Sequence, residues 1–219
     1  MNIIYLLFHG LSPYSGISKK ILHQVKGFEA CGHRVSLCTY SIADNGHRVR
    51  MINNEIIEDY GTGKPAAAKR RVSYQCIYRY AITHQVELIY VRSFHNANPF
   101  TIRLFSKLRK AGIKIAMEIP TYPYDSEYAG FPLVTRLGIQ VDKVFRKTLA
   151  KHVNAIVTFS DYHCIFGQRT IQISNGVDFD SIPLKKTVSK NTSVIHLLGV
   201  AEVHYWHGYY HLIEGLGKY

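Results

Sequence analysis

The sequence predicts an α/β fold built on a doubly wound parallel sheet. Three observations carry the prediction. Short apolar runs read as buried strands, helical patterns fall between them, and glycine or proline marks most junctions. Hydrophobic residues make up 47% of the 219-residue chain and charged residues 19%, a globular balance. A domain of this size buries roughly 70% of its unfolded surface, so its core needs no staples.

Ile3 to Phe8 is an apolar run closed by His9 and Gly10, the pattern of a strand covered on both faces. A loop follows, Gly10-Leu11-Ser12-Pro13-Tyr14-Ser15-Gly16. From Ile17 the pattern turns helical, with Ile17, Ile21, Val25 and Phe28 in three- and four-residue steps and Gly32 as the stop. Arg34 to Tyr40 is a second strand, bounded by Asp44-Asn45-Gly46. Strand-like pieces follow at Arg48 to Asn53 and Glu55 to Ile57. Lys64 to Gln85 reads as helix and holds the basic run Lys69-Arg70-Arg71. Val86 to Arg92 is a buried strand, Pro99 to Lys110 a helix, and Ile113 to Ile119 a strand. Leu133 to His152 is a long helix. Its apolar face, traced by Leu133, Leu137, Val141, Val144, Phe145 and Leu149, is expected to lie on the sheet. Asn154 to Phe159 and Thr170 to Ile173 are short strands, with a helical turn expected between them.

Composition shifts near residue 183. Residues 1–182 read as one domain and 183–193 as a polar, basic linker. Residues 194–219 hold one strand, Val194 to Gly199, and the start of one helix. One strand and one helix cannot enclose a core, so a second α/β domain is expected to begin there without being completed.

The formal net charge is +12, with twelve histidines besides. Nucleic acid, an anionic membrane face or phosphorylated small molecules would each match that charge. Cys31, Cys38, Cys76 and Cys164 form no C-x-x-C pair, and nothing in their spacing requires disulfides or zinc. A reducing cytoplasm is the expected compartment. The opening apolar run is too short for a signal peptide. No stretch approaches the roughly 20 apolar residues of a membrane span. Neither G-x-G-x-x-G nor a P-loop is present: Gly61-Thr62-Gly63-Lys64 is followed by Pro65, where a P-loop places Ser or Thr. His204, His207 and His211 have helical spacing, but no acid at a suitable distance completes a zinc set, and no metal is expected.

In a doubly wound sheet, ligands bind at the carboxyl ends of the strands. The loops after Phe8, Arg92, Ile119 and Phe159 are therefore the candidates. In the first, Ser15 and Gly16 stand at a helix N-terminus, which favours anions, with an ordinary capped turn as the plain alternative. In the second, Arg92 and His95 follow a buried strand, in the right place for a substrate group, though His95 reads first as a structural histidine. In the third, Tyr122, Tyr124, Asp125, Glu127 and Tyr128 combine aromatic rings with acids. Rings stack on sugar faces and carboxylates accept hydroxyl hydrogen bonds, so the loop suits an acceptor glycan. A hydrolase carboxylate pair and a solvated loop are the other two readings.

Several motifs in order resemble glycosyltransferase family 4, which has the GT-B fold. They are the Ser15-Gly16 loop, the turn Gly32-His33-Arg34-Val35, the element Ala155 to Ser160, and Asn175-Gly176-Val177-Asp178. The last is the span Val194 to Leu216, with Gly199, His207-Gly208 and Leu212-Ile213-Glu214. The resemblance runs over essentially the whole chain. It implies a Rossmann-like acceptor domain followed by the start of a nucleotide-binding domain. The implied activity is transfer of a hexose-type sugar from a nucleotide sugar, with retention and without a metal or other cofactor. The acceptor would be a glycan or lipid-linked saccharide of polysaccharide biosynthesis. The family's paired donor-site glutamates do not occur within residues 1–219, so this stretch alone is expected to be inactive. Gly199 and His207 would be the remnant of the donor side. The family often has Arg after that glycine and Lys at the position of His207, whereas here Val200 and Ala201 follow Gly199. Where many relatives carry a histidine near the reacting sugar, this chain has the strand ending Glu118-Ile119-Pro120, so Glu118 or a nearby tyrosine occupies that region, and Glu118 is the catalytic candidate.

The basic residues Arg136, Lys143, Arg146, Lys147 and Lys151 on the long helix add the expectation of contact with an anionic membrane, at its inner face. The rival reading is a basic α/β binding module for nucleic acid or another anion. No nucleic-acid motif supports it, and the charge is dispersed along the chain.

Overall fold

The computed structural model describes residues 1–93, 95–125, 132–176, 178–182, 197–199 and 207–218. The chain divides into two compact units, Met1–Asp178 and Phe179–Tyr219.

The first unit runs β1 (Asn2–Leu6), α1 (Gly16–Ala30), β2 (Arg34–Ile42), β3 (Arg48–Ile52), β4 (Glu55–Asp59), α2 (Gly63–Val72) and α3 (Gln75–Thr83). It continues through β5 (Leu88–Arg92), α4 (Pro99–Lys110), β6 (Lys114–Ile119), α5 (Leu133–Ala150), β7 (Ala155–Thr158), β8 (Cys164–Ile165) and β9 (Gln168–Gln172). Among the described residues the sheet has nine strands in the order β4-β3-β2-β1-β5-β6-β7-β9-β8. Strands β2, β1, β5, β6, β7 and β9 pair in parallel. The chain winds outward from β1 to β2 and then crosses to β5 on the other side. The winding therefore reverses between β1 and β5, and a crevice is expected at their carboxyl ends.

β1 shows why its sequence is a continuous apolar run. Ile4 and Leu6 enter the larger core with Ile77 of α3, Leu104, Phe105 and Leu108 of α4, and Leu149 of α5. Ile3, Tyr5 and Leu7 face the other way, against Ile21, Val25 and Phe28 of α1. Alternate residues feed opposite faces, and both faces are covered. The helix between β5 and β6 spans Pro99–Lys110, as its sequence predicts. Asn98 caps it and exchanges hydrogen bonds with Thr101, and Pro99 opens its first turn.

Several expectations need correction. The sheet is mixed, because β2-β3, β3-β4 and β8-β9 pair antiparallel. Asn53 and Asn54 (φ 48° and 70°) form a tight turn between β3 and β4, and Phe166 and Gly167 (φ 53° and 81°) another between β8 and β9. That second hairpin takes the place of the expected helical turn. The helix predicted over residues 64–85 is broken at Ser73 and Tyr74, where the Tyr74 ring turns into the core and its hydroxyl donates to the Arg71 carbonyl at 2.8 Å.

The largest correction concerns α5. Leu133, Leu137, Val141 and Val144 do not lie on the sheet; Leu133 is 68% and Val144 70% exposed. The buried side is Ile139, Asp142, Leu149 and Ala150, with Phe145 packed at the edge of the core. A polar residue, Asp142, thus stands on the inner face and an apolar row on the outer one.

In the second unit a 3-10 turn spans Phe179–Ser181 and a helix, α6, spans Tyr209–Leu216. Leu197 to Gly199, the described part of the predicted strand, are in no strand. A Cβ on Gly199 would lie 2.5 Å from the Tyr209 ring, so close packing requires glycine there. The predicted linker, residues 183–193, lies outside the described residues. No helix among them is long and apolar enough to cross a membrane.

Candidate functional site

A cleft of about 650 Å³ opens at the carboxyl ends of β1, β5 and β6, where the winding reverses. Its volume is in the range of small-ligand sites. The loop after β1 supplies His9, Gly10, Ser12, Ser15 and Gly16. The first two turns of α1 add Ser18 and Lys20. Arg92, Ser93 and His95 come from β5 and its loop, and Ile119, Thr121 and Tyr124 from β6 and its loop. Three of the four loops singled out by the sequence thus line one cavity. The fourth, after β7, is not part of its lining; its Phe159 ring lies under Lys20, with Nζ 3.4 Å from the ring centroid.

The first wall is a tightly bonded turn. Ser15 N–H donates to the Ser12 carbonyl at 3.2 Å, Ser12 N–H to Ser18 Oγ at 2.9 Å, and Ser18 N–H to Ser15 Oγ at 3.4 Å. Ser15 is the cap of α1. Gly16 faces open space, with no atom within 4 Å of where its Cβ would be. Gly10 is the opposite case: its Cβ would lie 2.9 Å from the Tyr40 carbonyl oxygen, so the wall closes against β2 only with glycine.

Beneath the cleft lies a buried polar network centred on Glu118. Its side chain has no exposed surface. Oε1 accepts from Arg92 Nη1 and faces Lys20 Nζ at 3.9 Å. Oε2 accepts from Tyr90 Oη at 2.7 Å and Gln24 Nε2 at 2.9 Å, and Gln24 Oε1 in turn accepts from Tyr5 Oη at 2.6 Å. Burial, reinforced by the Glu118 charge, pushes the Tyr5 and Tyr90 phenols well above the ordinary range, so both stay protonated as donors. The expectation that Glu118 touches substrate is therefore corrected. It is enclosed by donors under the cleft floor and positions Arg92 and Lys20, which do line the cleft.

A second buried carboxylate ties two walls together. Asp142, 2% exposed on α5, accepts from Ala97 N–H at 2.9 Å through Oδ1 and from Tyr124 Oη at 2.9 Å through Oδ2. The loop after β5 and the loop after β6 are thus fixed to one helix. His95 takes a left-handed backbone (φ 47°), and its ring lies 4.9 Å from that of Tyr124.

Tyr124 reaches the cleft and Tyr122 does not. The Tyr122 ring packs edge-on against Tyr162 at 4.9 Å and Phe166 at 5.5 Å. Asp125 is held by Arg146 through two bonds of 2.7 and 3.2 Å, with Lys143 at 3.5 Å. The Arg146 hydrogen bonds hold its carboxyl below the usual range, as a structural ion pair rather than an acceptor-binding acid. Phe94, Glu127 and Tyr128 lie outside the described residues. Gly199 and His207 belong to the second unit. No group of three His, Cys, Asp or Glu side chains among the described residues is placed to hold a metal ion.

His9, Lys20 and Asp142 have no motif in the sequence. Lys20 and Gln24 are one helical turn apart on α1, a spacing that brings both to Glu118. That polar pair is the signal that was available. No family model, no curated protein and no solved structure matches this chain.

Burial lowers the pKa of both cleft histidines, His9 and His95, below the ordinary 6.5. The folded state thus binds fewer protons on these rings than the unfolded chain. Stability is full above about pH 6.5 and falls as acid protonates the unfolded state preferentially. The melting temperature is expected to drop between about pH 7.5 and about pH 5.5. His9→Gln and His95→Gln should each make the slope shallower. A slope that neither substitution changes would contradict the assignment.

Proposed function

We propose that the chain is the acceptor-side part of a retaining glycosyltransferase that takes its sugar from a nucleotide sugar and serves glycan or lipid-linked synthesis. The observation that carries the reading is the cleft itself. It sits at the reversal of the winding and combines a helix N-terminus, two cations, two histidines and an aromatic ring. An acceptor saccharide needs a ring to stack on and neutral hydrogen-bonding groups for its hydroxyls. Ser93, Thr121 and the two histidines supply the second; Tyr124, 6% exposed with its hydroxyl on Asp142, walls the cleft and offers no open stacking face.

The histidines suit a neutral role. His9 Nδ1 lies 2.7 Å from the Gly10 carbonyl, which holds the proton on Nδ1 and makes Nε2 the unprotonated, accepting nitrogen of a neutral ring. Arg92 and Lys20 carry two positive charges against the one negative charge of Glu118. The balance favours the leaving phosphate side of a donor, or an acidic group on the acceptor, near the cleft floor.

The test is glycan binding to the full chain by ligand-observed NMR. Oligosaccharides or lipid-linked saccharide analogues should bind, and His95→Ala should weaken binding roughly tenfold, the value of one to two lost hydrogen bonds. Absence of glycan binding, together with salt-dependent binding of single-stranded RNA, would replace this reading with that of a basic binding module.

A lipid-linked acceptor would place the protein at a membrane surface, and α5 supports that placement. Its exposed row Leu133, Leu137, Val141 and Val144 is edged by exposed Arg136 and Lys147. Apolar and basic groups side by side fit an anionic bilayer interface. Lys143 and Arg146 are engaged by Asp125. Leu137→Gln with Lys147→Glu should release the protein from anionic liposomes. Equal binding of the unaltered chain to neutral and anionic liposomes would exclude the proposal.

A further inference from the structure

The basic run of α2 finds its counterpart at the start of β3, around one tyrosine. Arg48 Nη1 donates to Tyr40 Oη at 2.6 Å. The Arg70 guanidinium lies 4.1 Å from the centre of the Tyr40 ring. Arg71 adjoins it, exposed, in the last turn of α2. Arg50 lies deeper, 1% exposed, and donates from Nη1 to the Leu7 carbonyl at 2.7 Å. Four guanidiniums are thus gathered where β2, β3 and α2 meet.

Among the described residues no carboxylate pairs with any of the four. The nearby acids are engaged elsewhere: Glu58 faces Lys69 at 4.0 Å and Arg79 at 3.7 Å, and Asp59 faces His47 at 2.7 Å. The Nε atoms of Arg50 and Arg70 are buried with no hydrogen-bond partner among those residues. Burial, and then the charges of Arg71, Arg48 and Arg50, lower the Arg70 pKa, the mark of a cation short of a counter-charge. Helix-dipole stabilisation accounts for basic residues in the last turn of α2, but not for Arg48 and Arg70 held from two elements on one ring. The side chains are also pre-ordered, since hydrogen bonding and stacking on Tyr40 fix two of them before any ligand arrives.

The cluster adjoins the cleft. Tyr40 N–H donates to the His9 carbonyl at 3.3 Å, and the Tyr40 carbonyl packs on Gly10.

We propose that Arg48, Arg70 and Arg71 form a binding site for a phosphoryl group at the β2 edge of the cleft. A single carboxylate is satisfied by one guanidinium fork. Three forks call for an anion with more oxygens and more charge, as in a diphosphate or the phosphodiester of a lipid headgroup. The site stands on its own geometry and does not depend on the glycosyltransferase reading.

The experiment is calorimetric titration of the full chain with inorganic pyrophosphate at constant ionic strength. It is paired with sedimentation on vesicles with and without an anionic phospholipid. Pyrophosphate should bind, and Arg70→Gln and Arg71→Gln should each weaken it by roughly tenfold, the scale of a lost charge-assisted bond. Arg70→Lys, which keeps charge but loses the fork, should fall between. Lys110→Gln, a basic residue on α4, should change nothing. Arg71 is exposed, so its variant tests the site without risk to the core. If the same arginine variants also abolish sedimentation with anionic vesicles, the phosphoryl group is a lipid's. If sedimentation is unaffected, the vesicle contact is made elsewhere, as through α5, and the pyrophosphate titration alone defines the ligand, as a soluble phosphoryl group. Pyrophosphate binding that is absent or indifferent to Arg70 and Arg71 overturns the proposal. So does arginine-dependent binding of single-stranded RNA without pyrophosphate binding, which would mark a nucleic-acid face.

Discussion

The cleft depends on one carboxylate that the solvent never reaches. Glu118 sits on the central parallel strands and is completely buried. A charge there is tolerated only if it is paired and its remaining lone pairs are satisfied. Arg92, Lys20, Tyr90 and Gln24 meet that demand, and each comes from an element that shapes the cleft. β5, β6 and α1 are thereby held in one register at the reversal point of the sheet. Asp142 repeats the device at the outer wall, joining the loops after β5 and β6 through Ala97 and Tyr124. The groups facing the cavity hang from this hidden frame.

Much of the fold was legible because period and punctuation dominate it. A run such as Ile3 to Leu7 has one reading, a strand covered on both faces, and Asn98-Pro99 marks a helix start by cap chemistry alone. The antiparallel edges were less legible. Asn53-Asn54 and Phe166-Gly167 are hairpin turns whose backbone conformation decides strand direction, and their residues announce it weakly. The face of α5 was misread for a different reason. Periodicity shows that a helix has an apolar side, but not which neighbour that side meets. Here the neighbour under α5 needed Asp142 for two loop hydrogen bonds, which turned the leucine and valine row outward.

The site was legible in position more than in chemistry. The rule that ligands gather at strand carboxyl ends led to Ser15, Gly16, Arg92, His95 and Tyr124, all of which line the cavity. It could not separate Tyr124 from Tyr122, two residues away, because a ring's direction depends on Phe166 and Tyr162 across the loop. The family resemblance put Glu118 near the reacting sugar, because sequence separation hides the four donors that enclose it. The arginine cluster around Tyr40 was visible only as the basic run Lys69-Arg70-Arg71. Arg48 and Arg50 join it through the β2-β3 pairing, a non-local contact.

The most direct test of this account is a double-mutant cycle at the buried pair, read by denaturant unfolding. Glu118→Gln alone leaves Arg92 as a buried, uncompensated cation and should cost about 3–5 kcal/mol. Combining it with Arg92→Met should recover much of that loss, giving a coupling of about 2 kcal/mol or more. Additive effects, agreeing within about 0.5 kcal/mol, would show that the two charges do not depend on each other, and the frame beneath the cleft would have to be reassigned.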